Sequence, residues 1–252
     1  MAQYIQVLER AMRLLSSFDH DHPEMGVTEL ARELDLPKPT VYRILSTLES
    51  GGFVQQNTNG KYHLGFRLAE LGLLALDEIS LRREALPYLR QLIEECQETV
   101  DLAVYEGGEI VYLEVMESPQ PVKIAARAGR RLPAHCTASG KAYLAYASDE
   151  VVAEALSHGM ECYTPSTIDD PETFLEELRL VRERGYSVSE EEYEVGIKAV
   201  AAPVMGRDGQ PVAVIAIAGP AYRLPVERVA ELGEAVRRAA QGLSEHLGAR
   251  ST

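Results

Sequence analysis

The sequence of 252 residues contains only three cysteines, no apolar run of transmembrane length and few basic residues. Cys96, Cys136 and Cys162 are odd in number, widely spaced and form no Cys-x-x-Cys pair, which favours reduced thiols over a disulfide framework. The first residues fit an amphipathic helix better than a signal peptide, because Glu9 and Arg10 interrupt the apolar positions. We therefore expect a cytoplasmic protein without a membrane partner.

Basic side chains are scarce over the whole chain. There are 25 Lys and Arg against 39 Asp and Glu, which gives a formal net charge of −14 and a pI near 4.9. This balance argues against a protein that covers nucleic acid through many phosphate contacts. The acidic excess is uneven, however, since residues 1–65 contain six basic and eight acidic side chains. The length suggests about two domains, and most of the negative charge lies in the second part of the chain.

The segment from residue 26 to residue 64 has the pattern of two short helices and a hairpin. Apolar residues recur at i, i+3, i+4 and i+7 from Val27, which predicts a first helix with Thr28 as a possible N-cap. A tight connection follows, and Pro39 is suited to begin a second helix that runs to about Ser50. The two helices lie in the order expected of a helix-turn-helix.

A hairpin is predicted directly after the second helix. Residues 53–56 and 61–64 can pair as strands around Asn59-Gly60, which favours a type I′ turn. Lys61 follows the turn, where a cation could reach a phosphate or the minor groove. Helices and hairpin together predict a winged helix-turn-helix domain at residues 1–65 that binds double-stranded DNA. The alternative is that the same elements form only a packing unit.

The second predicted helix has a polar face opposite its apolar one. A helical projection places on that face Pro39, Tyr42, Arg43, Ser46 and Thr47. We predict DNA contacts from Tyr42, Arg43 and Ser46 in the major groove, and from Lys61 in the wing. Arg43 is the best candidate for reading a base, because its guanidinium can bind guanine with two hydrogen bonds. The alternative for Arg43 is a solvated helix arginine.

Helical patterns flank the predicted DNA-binding domain. Near the N-terminus an apolar stripe would complete the winged-helix core or form a dimer seam; it comprises Ile5, Leu8, Met12 and Leu15. Residues 66–82 are leucine-rich and predict a linker helix that transmits movement between domains or acts as a rigid spacer. A further amphipathic helix is expected at residues 87–96. Few basic residues imply weak DNA binding by a monomer, so we expect dimers or tetramers.

Residues 83–250 alternate between strand-like and helical patterns. Strands are predicted on both sides of Gly107-Gly108, and further strands at 122–126, 199–204 and 211–218. Helices are predicted at the segment SGKAYLAYA, near 149–158, at 171–184 and from Pro225 to about Leu247. Hairpins with interposed helices imply an α+β fold around an antiparallel sheet, with room for a small ligand.

Three segments carry a resemblance to a known family, namely LARELDLPKPTVYRILSTLESGGFV, LPAHCTASGKAYLA and GYSVSEEEYEVGIKAVAAPVMGRDGQPVAVIAIAGP. They are similar to the winged helix, the effector loop and the C-terminal signature of the IclR family of bacterial transcriptional regulators. The resemblance implies a winged helix-turn-helix, a linker helix and a GAF-like effector-binding and oligomerisation domain. It also implies homodimers and homotetramers on palindromic operators of catabolic or efflux genes. We expect a repressor, although the sign of regulation depends on where the operator lies.

The resemblance also carries over site residues. It assigns base reading to Lys38, Thr40 and Arg43. It assigns the effector pocket to Ala138, Ser139, Gly140, Ser189, Ala199, Ala216 and Ala218. Members that bind small polar acids often have Cys or Ser at the last three positions, so we expect a larger, more apolar pocket and an aromatic or carboxylic acid effector. Ser139 and the N–H groups beside it could hold a carboxylate, or Ser139 could be only an N-cap.

Two other groups of residues suggest chemistry that we do not expect. His135-Cys136 invites a nucleophile and base, but adjacent side chains in an extended loop diverge and no third residue is evident. His158 and Cys162 could join them in a zinc site, yet such a pair near a helix end is usually structural or exposed. We predict no catalysis, no obligatory metal and no cofactor. The alternatives are an enzyme with Cys136 as nucleophile and an architectural DNA-binding protein without an effector.

Overall fold

A computed structural model describes residues 5–19, 21–78 and 80–249 of the chain. The chain divides into two compact units, the first ending at Ser80 and the second beginning at Leu81. Within these described residues, no helix is long and apolar enough to cross a membrane.

The first unit contains the predicted helix pair and hairpin. Its elements in chain order are α1 (Gln6–Ser16), α2 (Val27–Glu33), α3 (Lys38–Ser50), β1 (Val54–Gln56), β2 (Tyr62–Leu64) and α4 (Phe66–Glu78). Strands β1 and β2 pair antiparallel. The core joins one side of α1, α2 and α3 to the hairpin and includes Leu14, Leu30, Val41, Leu45 and Tyr62, all nearly inaccessible to solvent. The predicted winged helix-turn-helix is confirmed.

Three local expectations in this unit are wrong in detail. Helix α2 begins at Val27, so Thr28 lies inside it; Glu29 Oε2 instead accepts the Gly26 N–H at 2.6 Å. Helix α3 begins at Lys38, one residue before the expected proline. The wing turn is not type I′, because that turn needs a positive φ at two central residues and only Gly60 has one there, at +76°.

Only one residue of the predicted N-terminal stripe, Leu15, packs against the core, which α1 reaches mainly through Leu14. Leu14 is fully buried and Leu15 is partly buried against the same cluster. Ile5, Leu8 and Met12 are instead exposed, with 56–64% of their surface accessible. The expectation that this stripe completes the winged-helix core is therefore wrong for these three residues, and its use as a dimer seam stays a prediction.

The second unit is an α+β domain built on one antiparallel sheet. Its helices are α5 (Ser80–Cys96), α6 (Ala138–Leu144), α7 (Asp149–Ser157), α8 (Pro171–Arg184) and α9 (Val226–His246). Its strands are β3 (Thr99–Glu106), β4 (Glu109–Met116), β5 (Arg131–Pro133), β6 (Ser187–Glu190), β7 (Ile197–Met205) and β8 (Pro211–Pro220). The strand order is β5-β4-β3-β8-β7-β6, with every neighbouring pair antiparallel.

The two faces of this sheet have different partners. One face packs on α5 and α9, in a cluster that includes Leu89, Val100, Leu102 and Val236. Because side chains alternate along a strand, the residues between these core positions face the other way. That second face is covered by α6, α7 and α8, and Ala103 belongs to the cluster there. Part of the second face remains open beside the start of α6.

The predicted elements of this unit are confirmed with three exceptions. Residues 122–126 form no strand; Val122 is exposed and its carbonyl accepts a hydrogen bond from Arg223 instead of pairing in a sheet. The edge strands β5 and β6 were not predicted, because each has only three or four residues. Helix α5 continues through Pro87 instead of starting there.

Candidate DNA-binding face and effector cavity

Helix α3 presents the polar face that its spacing predicts. Val41, Ile44 and Leu45 are buried against α2 and the hairpin. The side chains on the opposite face are exposed and comprise Lys38, Tyr42, Arg43 and Ser46, while Thr40 is half-buried at the flank. The face is therefore available to a partner, and the role of each side chain in DNA binding stays a prediction.

Lys61, the predicted wing contact, has a partner within its own unit. Its Nζ lies 3.4 Å from Glu29 Oε1, and both side chains remain more than 40% exposed. An exposed pair of this kind contributes at most about 1 kcal/mol. Lys61 can therefore leave Glu29 for a phosphate at little cost.

Six of the seven predicted effector residues line one cavity on the second face of the sheet in the second unit. Its floor lies on two adjacent rows of paired residues, of which five line the cavity: Asp101, Ser189, Ala199, Ala216 and Ala218. One row is Ser189, Ala199, Ala218 and Thr99, and the next is Ser187, Ala201, Ala216 and Asp101. Residues paired in this way lie about 4.5–5.5 Å apart. The wall comes from Ala138 and Ser139 at the start of α6.

The start of α6 is organised differently from what the sequence suggested. The N-cap is Thr137, whose Oγ1 accepts the Gly140 N–H at 3.1 Å, so Ser139 lies inside the helix and is not an N-cap. The seventh predicted residue, Gly140, does not line the cavity. A Cβ at this position would lie 1.9 Å from the Ala134 carbonyl oxygen, so Gly140 allows α6 to pack closely on the loop before it.

The cavity is small, so the expectation of a large one is wrong, whereas its lining is mainly apolar. Its volume is about 70 Å³, well below the roughly 150 Å³ of a cavity that holds benzene. The alanines do not enlarge it, because larger side chains from other segments line the same space, among them Tyr112, Arg130 and Tyr193. A carboxyl group, Asp101, lies in its floor.

Asp101 is the functional candidate that sequence reasoning missed. It is 2% exposed, and its Oδ1 has no hydrogen-bond partner among the described residues. Burial raises the pKa of Asp101 to about 8. Burial, and more weakly Asp101, also raises the pKa of Tyr112, while Arg130 acts in the opposite direction. The available signal was an acidic residue within the otherwise apolar start of β3.

The loop between β6 and β7 closes one side of the cavity through Tyr193 and Glu194. It is held by Glu192, whose Oε1 lies 2.5 Å from Lys141 Nζ, and both side chains are buried. The Thr167 hydroxyl donates to the Glu192 carbonyl at 2.6 Å. Burial raises the pKa of Glu192, and Lys141 partly opposes that shift.

The His135-Cys136 pair lacks the features of a nucleophile and base. Cys136 is fully buried, and burial raises the pKa of its thiol to about 12, whereas a nucleophilic cysteine needs a lowered pKa. His135 Nε2 lies 3.0 Å from the Glu161 carbonyl oxygen. Within residues 5–19, 21–78 and 80–249, no group of three or more His, Cys, Asp or Glu could hold a metal ion.

A second and larger cavity lies beside the β3–β4 turn. Its volume is about 680 Å³, and it is lined by Gly108, His135, His158 and Phe174 among others. None of the predicted effector residues belongs to it. The smaller cavity is therefore the candidate effector site.

Comparison with known proteins covers both units. Residues 7–58 match the model of the IclR helix-turn-helix domain, and residues 73–245 match that of the bacterial transcriptional regulator IclR C-terminal domain. The HTH-type transcriptional repressor AllR of Escherichia coli K12 is 34% identical, over 96% of this chain and 90% of its own.

Solved structures agree with these matches. An IclR transcriptional regulator from Alicyclobacillus acidocaldarius has a TM-score of 0.86 and 30% identity, and covers 98% of this chain and 100% of its own. An IclR homolog from Microbacterium hydrocarbonoxydans, complexed with 4-hydroxybenzoate, has a TM-score of 0.84 and 30% identity over 96% of this chain and 98% of its own. The winged helix-turn-helix, the cavity-bearing α+β unit and these full-length relatives lead to one conclusion: the chain belongs to the IclR family of bacterial transcriptional regulators.

Proposed function

We propose that this protein is a transcriptional repressor whose affinity for operator DNA changes when a small organic acid binds the cavity of the second unit. DNA contacts come from the exposed face of α3, with Arg43 reading a base, and from Lys61 in the wing. The effector contacts Ser139, Ser189 and the floor alanines. No reaction on the effector is part of this function, because a difference in its affinity for two states of the regulator is sufficient.

The observation that carries the proposal is the convergence of predicted residues on one cavity. Ser139 on α6, Ser189 on β6 and Ala199, Ala216 and Ala218 on β7 and β8 line the same space. Arg130 lines it as well and is the basic residue among the lining residues that the structure describes. Arg130 is half-buried, and a guanidinium at this position favours a carboxylate ligand.

The volume of the cavity bears on the size of the effector. About 70 Å³ suits an acid of two or three carbons. An aromatic acid such as 4-hydroxybenzoate, which the Microbacterium homolog holds, requires Tyr193 and Glu194 to move outward with the loop between β6 and β7. Both size classes therefore belong in a first screen.

Oligomers are the second part of the proposal. We propose that homodimers, and dimers of dimers, bind palindromic operators of catabolic or efflux genes in the cytoplasm, since two half-sites multiply a weak single contact. Residues 1–65 bind DNA, 66–82 act as a linker helix and 83–250 bind effector and oligomerise. Exposed apolar residues at the start of α1 and within it support a seam between copies, namely Ile5, Leu8 and Met12.

The test begins with operator selection. A DNA fragment is selected from a random duplex pool with the purified protein, and its dissociation constant is measured by fluorescence anisotropy with and without each acid of a panel. The panel contains short hydroxy and oxo acids, benzoates and neutral aromatics. We expect at least one acid to change the dissociation constant by about 5–150-fold.

Matched variants locate the effect. Ala218→Leu fills the cavity and should abolish the response, whereas Ala153→Leu, at an exposed position of α7, should preserve it. Selective DNA binding that no acid changes would contradict the effector proposal and favour an architectural protein. A response that survives Ala218→Leu would place the effector elsewhere.

A further inference from the structure

Asp101 is a buried carboxyl group in the cavity floor with an unused hydrogen-bond acceptor. Its strand neighbours Val100 and Leu102 belong to the core on the opposite face of the sheet, so alternation along β3 directs Asp101 to the cavity. It is 2% exposed, and its Oδ1 has no partner among the residues that the structure describes. A buried acceptor left unpaired destabilises a fold.

Three other polar side chains around the cavity have hydrogen-bond partners within the fold. The Thr137 hydroxyl donates to the Pro133 carbonyl at 3.1 Å, and the Ser189 hydroxyl donates to the Cys136 carbonyl at 3.4 Å. Arg130 Nη1 donates to the Ala125 carbonyl at 3.3 Å. These groups have partners within the fold, whereas Asp101 Oδ1 has none there. The Asp101 Oδ1 atom is therefore available to accept a hydrogen bond from a ligand in the cavity.

The charged and polar groups around the cavity suit a ligand with a carboxylate at one end and a hydrogen-bond donor at the other. Arg130 supplies positive charge and Asp101 an acceptor, and both influence the Tyr112 hydroxyl, in opposite directions. An acid whose carboxylate approaches Arg130 leaves its other end for Asp101. A ligand group that donates a hydrogen bond to the Asp101 carboxyl oxygen should bind more tightly than an apolar group or a group that only accepts hydrogen bonds.

We propose that Asp101 determines the specificity of this cavity: its Oδ1 accepts a hydrogen bond from a hydroxyl group of the effector, so hydroxylated organic acids bind better than the same acids without the hydroxyl. The inference rests on the proposed function, because it assumes that the cavity binds an organic acid.

The test uses pairs of acids that differ in the donor. 4-Hydroxybenzoate is compared with 4-fluorobenzoate, which is similar in size and cannot donate, and glycolate is compared with acetate. Dissociation constants are measured by calorimetry with the full-length protein. The wild-type protein should bind the hydroxylated member of at least one pair about tenfold more tightly.

Two substitutions of Asp101 then assign the preference. Asp101→Leu removes the acceptor and should bring the ratio within a pair close to one. Asp101→Asn keeps an acceptor oxygen and should retain part of the preference. Asp169→Asn, a surface change of the same kind, should leave the ratio unchanged. A wild-type ratio in Asp101→Leu, or equal binding within both pairs by the wild-type protein, would overturn the proposal.

A measurement without ligand separates this inference from the proposed function. If no acid binds the wild-type protein, the organic acid effector is refuted. Thermal unfolding at pH 8.5 still tests whether Asp101 Oδ1 lacks a hydrogen-bond partner within the fold. An acceptor without a partner in the fold predicts a midpoint raised by about 2–4 °C or more in Asp101→Leu, which removes that acceptor. The rise should be smaller in Asp101→Asn, which keeps an acceptor oxygen, and Asp169→Asn should leave the midpoint unchanged. A lowered midpoint in both variants would show that Asp101 has a structural partner and would overturn the inference.

Discussion

Lys141 and Glu192 form a buried ion pair that joins α6 to the loop over the cavity, with 2.5 Å between Nζ and Oε1. Their side chains are 1% and 7% exposed. Glu177 is the other acid near Lys141, at 3.6 Å, and has a second partner in Arg184 at 2.9 Å. Glu192 therefore depends on Lys141 more than Glu177 does.

Removal of one member of this pair should destabilise the protein strongly. Lys141→Met leaves the Glu192 carboxyl buried without its cation, and we expect a loss of about 3–5 kcal/mol in the free energy of unfolding. Urea unfolding followed by circular dichroism measures the change. The double variant Lys141→Met with Glu192→Leu should recover most of it, because an apolar pair of similar size leaves no buried charge.

An exposed ion pair with the same distance between nitrogen and oxygen provides the control. Lys123 Nζ lies 2.5 Å from Glu117 Oε2, but both side chains are more than 40% exposed. Lys123→Met should cost less than about 1 kcal/mol. Equal losses in Lys141→Met and Lys123→Met would show that burial does not govern the strength of these pairs.

Close packing at α6 gives a prediction for Gly140. Gly140→Ala places a Cβ 1.9 Å from the Ala134 carbonyl oxygen, and the backbone cannot yield as a flexible side chain would. We expect destabilisation by about 3 kcal/mol or more. Gly72→Ala, in a helix where nothing lies within 4 Å of the new Cβ, should instead stabilise by about 0.5–1 kcal/mol. Thermal unfolding of both variants tests the opposite signs, and a mild effect of Gly140→Ala would contradict the contact.

Patterns that depend on nearby residues were predictable from the sequence. The spacing of Val41, Ile44 and Leu45 identifies the buried face of α3, and Gly107-Gly108 marks the turn between β3 and β4. Each signal arises from a local period or from the φ angles that a turn requires. The helix pair, the wing and most of the second unit follow from such signals.

Features formed by distant segments were not predictable in the same way. Lys141 and Glu192 are 51 residues apart, and nothing near either one indicates the pair. The cavity was expected to be large because alanines stand at three positions, but its volume depends on Tyr112 and Tyr193, which other segments supply. The pattern of β3 indicates that core residues flank Asp101. It does not indicate which residues or which cavity the Asp101 side chain faces.

The raised pKa of Asp101 predicts a dependence of stability on pH. Its pKa is about 8 in the folded protein and 3.8 without burial. Between these values the folded state binds one more proton than the unfolded state, so stability falls as pH rises. The slope due to Asp101 should reach at most about −1.4 kcal/mol per pH unit.

Comparison of the wild-type protein with Asp101→Asn isolates this slope. Urea unfolding at pH 5, 6, 7 and 8 should show the variant gaining stability relative to the wild-type protein as pH rises. The other titratable groups that line the cavity are common to both proteins: Tyr112, Arg130, Cys136, Tyr193 and Glu194. Asp169→Asn should follow the wild-type curve. Parallel curves for the wild-type protein and Asp101→Asn would refute the raised pKa.

The exposed face of α3 gives a prediction about DNA recognition. If Arg43 binds a guanine, Arg43→Ala should weaken binding to the selected operator by about 1–3 kcal/mol and relax the preference at one base pair. Lys38→Ala removes a cation at the first residue of the same helix. It should weaken binding about equally for all sequences and reduce the salt slope by about one if Lys38 contacts a phosphate.

Fluorescence anisotropy with the operator and its single-base variants, at several salt concentrations, distinguishes the two roles. Arg179→Ala, at an exposed arginine of α8 in the second unit, controls for the loss of one positive charge and should change neither affinity nor specificity. If Arg43→Ala lowers affinity for every sequence by the same factor, Arg43 contacts a phosphate, because loss of a base contact must change the ranking of operators whereas loss of a phosphate contact need not.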